Sequence, residues 1–122
     1  DLMFVGPEAH CYTSGRGLAH IDTMLTTLAS VRPCRTKPFG SLPPLVLEHV
    51  AMLSSCICVL LGWDEERREF VRVLRDMGLA VLVLVIVDSE EPAALDPGPL
   101  EGSPGQLHRL VVGSIEEGLA AL

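Results

Sequence analysis

Aromatic residues are scarce in this sequence, with one Trp, one Tyr and three Phe among 122 residues. A core must therefore be built from Leu, Val, Ile, Ala and Met, the mixture usual where sheets are covered by helices. Basic residues are also few: nine Lys and Arg stand against sixteen Asp and Glu, for a net charge of -7. That balance argues against nucleic acid, whose binding draws on clustered cations that release counterions. The longest basic cluster, Arg32, Arg35 and Lys37, is broken by Pro33 and Pro38 and reads as a solvated loop. No apolar run reaches the roughly 18–20 residues that span a bilayer. The best, Leu79 to Val87, is strand-sized, so no membrane contact by this segment is expected. No signal-type apolar segment opens the sequence, and a cytoplasmic setting is the expectation.

Cysteine is present but sparse. Cys11, Cys34, Cys56 and Cys58 lack the density of a disulfide scaffold and read as free thiols in a reducing compartment. Cys56 and Cys58 stand two apart in an apolar run, on one face of a strand, a spacing poorly suited to a bridge. They lack the second ligand pair of a metal site.

At this length, with 48% hydrophobic residues, one domain over 1–122 is expected. Leu2 to Val5 and Ala9 to Thr13, joined by Gly6, Pro7 and Glu8, read as a hairpin. Leu18, Ile21, Met24, Leu25, Leu28 and Val31 recur with a helical period. Ser41 before Pro43 and Pro44 marks a second helix entrance, with the helix running to about Leu53 and His49 half-buried on its inner side. Cys56 to Leu61 is a continuous apolar run, as in a central strand buried on both faces. Asp64 is placed to cap a helix whose first turn carries Glu65 and Glu66, and Gly78 to end it. Leu79 to Val87 follows as a second buried strand, completing a βαβ unit with parallel strands. Residues 89–106, rich in Pro and Gly, read as a mobile surface loop. Leu107 to Val112 reads as a last strand, and Ser114 with Glu117 as the capping box of a terminal helix.

The segments GRGLAHIDTMLTTLASVRPC and SSCICVLLGWDEERREFVRVLRDMGLAVLVLVIVD resemble the bacterial family known as domain of unknown function 58, the later part of a von Willebrand factor A-like module. The resemblance covers nearly the whole chain. It implies an α/β fold of three layers, Rossmann-like, with a mostly parallel sheet, helices on both faces, and no counterpart here of the first central strand. Two apolar strand edges would then go unpaired, to be completed by upstream residues, by each other or by another chain. A homodimer, domain-swapped or sheet-extended, is the expectation. Members of that family carry a longer N-terminal region, often with membrane segments, which implies a tether to the inner membrane. They are frequently encoded beside MoxR-type AAA+ ATPases, which implies a role in assembling or remodelling other proteins.

The related modules hold divalent metal through an Asp-x-Ser-x-Ser motif, a threonine, and an aspartate after the fourth strand. Only the last has a match, Asp64, at the carboxyl end of a strand where open α/β sheets place ligands. The motif itself is absent from the 122 residues, and Thr13 or Ser14 is at most a displaced hydroxyl. Magnesium, which wants about six oxygens, is expected only if the motif lies upstream. No other cofactor is expected.

The resulting expectation is a non-catalytic protein-interaction module whose loops at the strand tips meet a protein partner, an AAA+ ATPase being the implied class. Trp63, Asp64, Arg16 and Asp88 are the candidate contact residues, with Trp63 the natural anchor because tryptophan is enriched among binding hot spots. Packing of its ring over a helix end is the competing reading. The alternative is a small cytosolic enzyme using Cys11 with His20, or Asp64. His10, adjacent to Cys11 on a strand, would point to the opposite face. Neither a phosphate-binding loop nor a G-x-S-x-G elbow is present.

Overall fold

A computed structural model describes residues 2–5, 9–12, 18–90 and 94–122, with side chains described for 2–4 and, from residue 21 onward, wherever the backbone is. The chain divides into two compact units, Asp1–Ala51 and Met52–Leu122.

In the first unit, β1 (Leu2–Val5) and β2 (Ala9–Tyr12) pair antiparallel, with Leu2 opposite Tyr12 and Val5 opposite Ala9. They form a two-stranded sheet of their own. The expected hairpin is present. Helix α1 (Leu18–Ser30) matches the periodic stripe. Thr26, Thr27 and Ser30 turn their hydroxyls back onto the carbonyls of Asp22, Thr23 and Thr27, so these polar side chains are satisfied locally. Its apolar stripe is open: Ile21, Leu25 and Leu28 are exposed and Met24 is half-buried.

Helix α2 (Leu42–Leu47) is shorter than the spacing predicts, and the chain continues through a turn into a 3-10 turn at Val50–Met52. Pro43 and Pro44 suit the first turn but donate nothing to the helix ladder, which leaves few internal bonds to propagate it. His49 is half-buried, its Nδ1 2.9 Å from the Leu45 carbonyl oxygen, as expected of a structural histidine. Helix α2 packs on β1 and β2, with Val46 buried.

The second unit is an α/β fold around an open, three-stranded parallel sheet ordered β3-β4-β5. These strands are β3 (Ser55–Leu60), β4 (Ala80–Val87) and β5 (Leu107–Val111). Ser55 to Leu60 run opposite Ala80 to Val85, and Val83 to Val87 opposite Leu107 to Val111. Helix α3 (Glu65–Asp76) bridges the first two strands, and α4 (Ile115–Ala120) follows the last.

Helix α3 forms for reasons legible in its residues. The Asp64 carboxylate accepts the Arg67 N–H at 3.0 Å, Glu65 and Glu66 face the positive helix end, and Arg75 sits in the last turn. Three i,i+3 ion pairs run along its exposed side: Asp64–Arg67, Glu65–Arg68 and Glu69–Arg72. Phe70, Val71 and Leu74 make up its buried stripe. The helix ends at Gly78, whose φ of +88° only glycine adopts cheaply. The Gly78 N–H donates to the Arg75 carbonyl and the Leu79 N–H to the Leu74 carbonyl, a Schellman stop that turns the chain straight into β4.

Strand β4 is the centre of the core. Val83 and Val85 are fully buried, as are Val71 and Leu74 of α3. β3, by contrast, is an edge strand. Cys58 and Leu60 are buried, but Ile57, Val59 and the following Leu61 are 67%, 61% and 83% exposed. The expectation of burial on both faces is thus corrected. The alternation follows the two-residue period of a strand, which turns Cys58 and Leu60 to the core and Ile57 and Val59 to the opposite face. Helix α4 packs on β5, and a Cβ at Gly118 would come within 2.7 Å of Leu110 Cδ2.

The connection from β4 to β5 is more ordered than its composition predicts. It forms 3-10 turns at Gly98–Leu100 and Pro104–Gln106, and Leu100 is fully buried. Arg75 reaches from α3 to the Pro99 carbonyl, fastening the loop to the helix. Ser114 precedes α4 but makes no side-chain cap hydrogen bond, so the expected capping box is not formed. Among the described residues no helix is long and apolar enough to cross a membrane.

Candidate functional site at the strand tips

β3 and β4 run parallel and therefore deliver the residues that follow them to the same rim, where ligands of open α/β sheets collect. After Leu60 the chain crosses the tips as Leu61, Gly62, Trp63 and Asp64 before entering α3. After Val87 it continues as Asp88. A cleft of about 340 Å³ lies between these segments, lined by Trp63, Asp88, Leu61, Leu95 and Val112 among others. This is within the size range of small-ligand pockets, at its low end.

The Trp63 ring is half-buried, and its indole N–H donates to the Asp96 carbonyl oxygen at 2.6 Å. Asp96 is the hub of the surrounding loop. One carboxylate oxygen accepts the Gly98 N–H at 3.0 Å, and the other accepts the Arg68 guanidinium at 2.5 Å. Trp63, among the residues lining the cleft, is in this way tied to the 96–100 turn. Asp88 is exposed at the β4 tip.

Asp64 is occupied differently. Its Oδ1 accepts the Arg67 N–H and its Oδ2 the Arg67 guanidinium at 2.5 Å. Both oxygens therefore serve the start of α3. Among the described residues there is no group of three or more His, Cys, Asp or Glu able to hold an ion. One carboxylate already paired with a guanidinium does not fit a divalent cation that needs about six oxygens.

The structure thus brings Trp63 and Asp88 together on one cleft and sets Asp64 at its side as a helix cap. Arg16, Thr13 and Ser14 lie outside the described residues, as do the side chains of His10, Cys11 and His20. Sequence reasoning missed Asp96, Leu95 and Val112. A signal for Asp96 exists in Asp-Pro-Gly, since an aspartate that accepts a hydrogen bond from the N–H two residues on is an Asx turn. Chemically, the cleft sets the Trp63 indole and the exposed Asp88 carboxylate beside Leu61, Leu95 and Val112, with more polar than apolar surface open to it, a combination suited to a side chain that carries a cation.

No family model, curated protein or solved structure matches this chain.

Proposed function

We propose that the chain is a non-catalytic protein-interaction module, von Willebrand A-like in its finer architecture, that presents its strand-tip rim to a protein partner. The MoxR-type AAA+ ATPase implied by the family resemblance is the partner class, in a cytoplasmic setting, and assembly or remodelling of other proteins is the role. The observation that carries this reading is the cleft between the β3 and β4 tips, with a positioned Trp63 and an exposed Asp88. A tryptophan held by its own N–H has little rotamer freedom left to lose on binding, which favours it as an anchor.

The test is binding of the purified full chain to a MoxR-type ATPase from the same genome, measured by surface-immobilised titration. Trp63→Ala and Asp88→Ala each weaken binding, the former by about 30-fold or more if it is a hot spot of about 2 kcal/mol. Unchanged affinity for both variants, with their far-ultraviolet spectra intact, would sink the rim as the binding surface.

Self-association through β3 belongs to the same proposal. Ser55 to Leu61 contains no charge, proline or glycine to guard its outer edge, which has no partner among the described residues, so the chain's acidity places no repulsion within the edge itself against a second copy. Val59→Lys on the open face shifts a concentration-dependent dimer towards monomer in sedimentation, whereas a wild-type chain that stays monomeric at high concentration removes this part.

A further inference from the structure

β3 also carries two thiols in contact. Cys56 Sγ and Cys58 Sγ lie 3.5 Å apart on the same face of the strand, opposite Val81 and Val83 of β4. Cys56 is half-buried and Cys58 is buried. Neither lines the rim cleft, and neither has a role in binding a partner there, so the chemistry of this pair is independent of the rim.

We infer that Cys56 and Cys58 form a reversible dithiol–disulfide couple that exchanges with low-molecular-weight disulfides, Cys56 attacking and Cys58 resolving. In the first step the Cys56 thiolate attacks one sulfur of glutathione disulfide. Its S–S bond breaks, a mixed disulfide forms on Cys56, and one glutathione leaves as the thiolate with the bonding electron pair. In the second, Cys58 gives its proton to solvent and attacks Cys56 Sγ, expelling the second glutathione. Two protein thiols are oxidised, one glutathione disulfide is reduced to two glutathione thiols, and the protons balance.

The division of roles follows from the environment of each sulfur. The Cys58 S–H donates to a Cys56 thiolate and draws the Cys56 thiol down to about 7, against the partial opposition of its own burial. A thiol that ionises near ambient pH is the favoured attacker in exchange. The same hydrogen bond, reinforced by burial, pushes Cys58 up, so it attacks second, when Cys56 Sγ is already beside it.

Strand geometry sets the character of the bridge. Two residues of strand rise separate the Cα atoms by roughly 6.6–6.8 Å. This is the upper end of the span of about 4.4–6.8 Å that disulfides tolerate. Closing the sulfurs from 3.5 Å to bonding distance therefore requires a deeper pleat in β3. That deformation is resisted on one side only, since β3 pairs with β4 and its other edge has no partner among the described residues. A strained bridge is an oxidising one, easily reduced, and it acts as a switch rather than a staple.

The experiment uses the full chain in glutathione buffers of graded oxidation at pH 7.5, quenched with acid, alkylated and mapped. The tryptic peptide 36–67 contains both thiols and neither Cys11 nor Cys34, so no substitution is needed to isolate the pair. The expected result is a peptide lighter by two hydrogens and free of adduct, appearing with oxidation and reverting with dithiothreitol. Cys58→Ser then halts the reaction at a stable glutathione adduct on Cys56. Full alkylation of both thiols under oxidising buffer, adducts on both cysteines of the wild type, or only interchain bridges would each overturn the inference.

Discussion

Replacing Asp64 separates its role as a helix cap from any role at the rim. The carboxylate accepts the Arg67 N–H at 3.0 Å and the Arg67 guanidinium at 2.5 Å. Loss of an N-cap acceptor costs about 1 kcal/mol, within a range of about 0.5–2. The ion pair adds little, because the Asp64 side chain is 56% exposed, and an exposed pair is worth about 0–1 kcal/mol. Glu65 and Glu66 continue to face the helix end, so the lost dipole interaction falls near the low end of about 0.3–1 kcal/mol. Asp64→Ala should then destabilise the 52–122 unit by about 1–2 kcal/mol. Asp64→Asn, which keeps a capping oxygen, should lose only about 0.5 kcal/mol. For a folding unit of this size about 1 kcal/mol lowers Tm by roughly 4–8 °C. Urea denaturation followed by tryptophan fluorescence measures the difference in the right place, since the chain's one tryptophan, Trp63, adjoins the cap. If Asp64→Ala matched wild type within error, the cap would carry no stability. If Asn proved as damaging as Ala, charge and not capping would be the cause.

Other consequences are as direct. Leu74 is fully buried against the sheet, so Leu74→Ala should cost about 2–5 kcal/mol in the same urea assay. Gly78 stands at φ +88° with open space around it, so Gly78→Ala should destabilise by about 1–2 kcal/mol through backbone strain alone. The Cys56 thiol is lowered from 9.0 to about 7 in the folded chain, so its contribution to stability is present above pH 9 and lost as pH falls through 7. Cys58 is raised and acts in the opposite sense, favouring the unfolded state above the ordinary thiol value. The stability difference between wild type and Cys56→Ser/Cys58→Ser should therefore rise from pH 7 to 9 and turn down beyond it; a flat difference would contradict the paired thiols.

The features legible in the chain were local ones. The stripe from Leu18 to Val31, the cap at Asp64, the stop at Gly78 and the runs around β3 and β4 all lie within the reach of neighbouring residues. Such features arise from side-chain spacing and backbone preference, and the parallel pairing of β3 with β4 followed because one helix joins them. The strand-tip position of Trp63, Asp64 and Asp88 was legible for the same reason. What Asp64 does there was only half legible: its cap comes from spacing, while the Arg67 guanidinium on its second oxygen required the folded helix.

Packing settled the rest. An apolar run reads alike at the centre or edge of a sheet, so only the strand order revealed Ile57, Val59 and Leu61 in the open. The loop from Ser89 to Gln106 has the composition of a surface linker, yet its Leu100 enters the core and its Asp96 holds both Trp63 and Arg68. Those contacts join residues some 30 positions apart (Trp63 and Arg68 with Asp96), and no local rule of spacing can foresee them. Burial and hydrogen bonding of that kind depend on which elements meet, a property of the packed chain and not of any window within it.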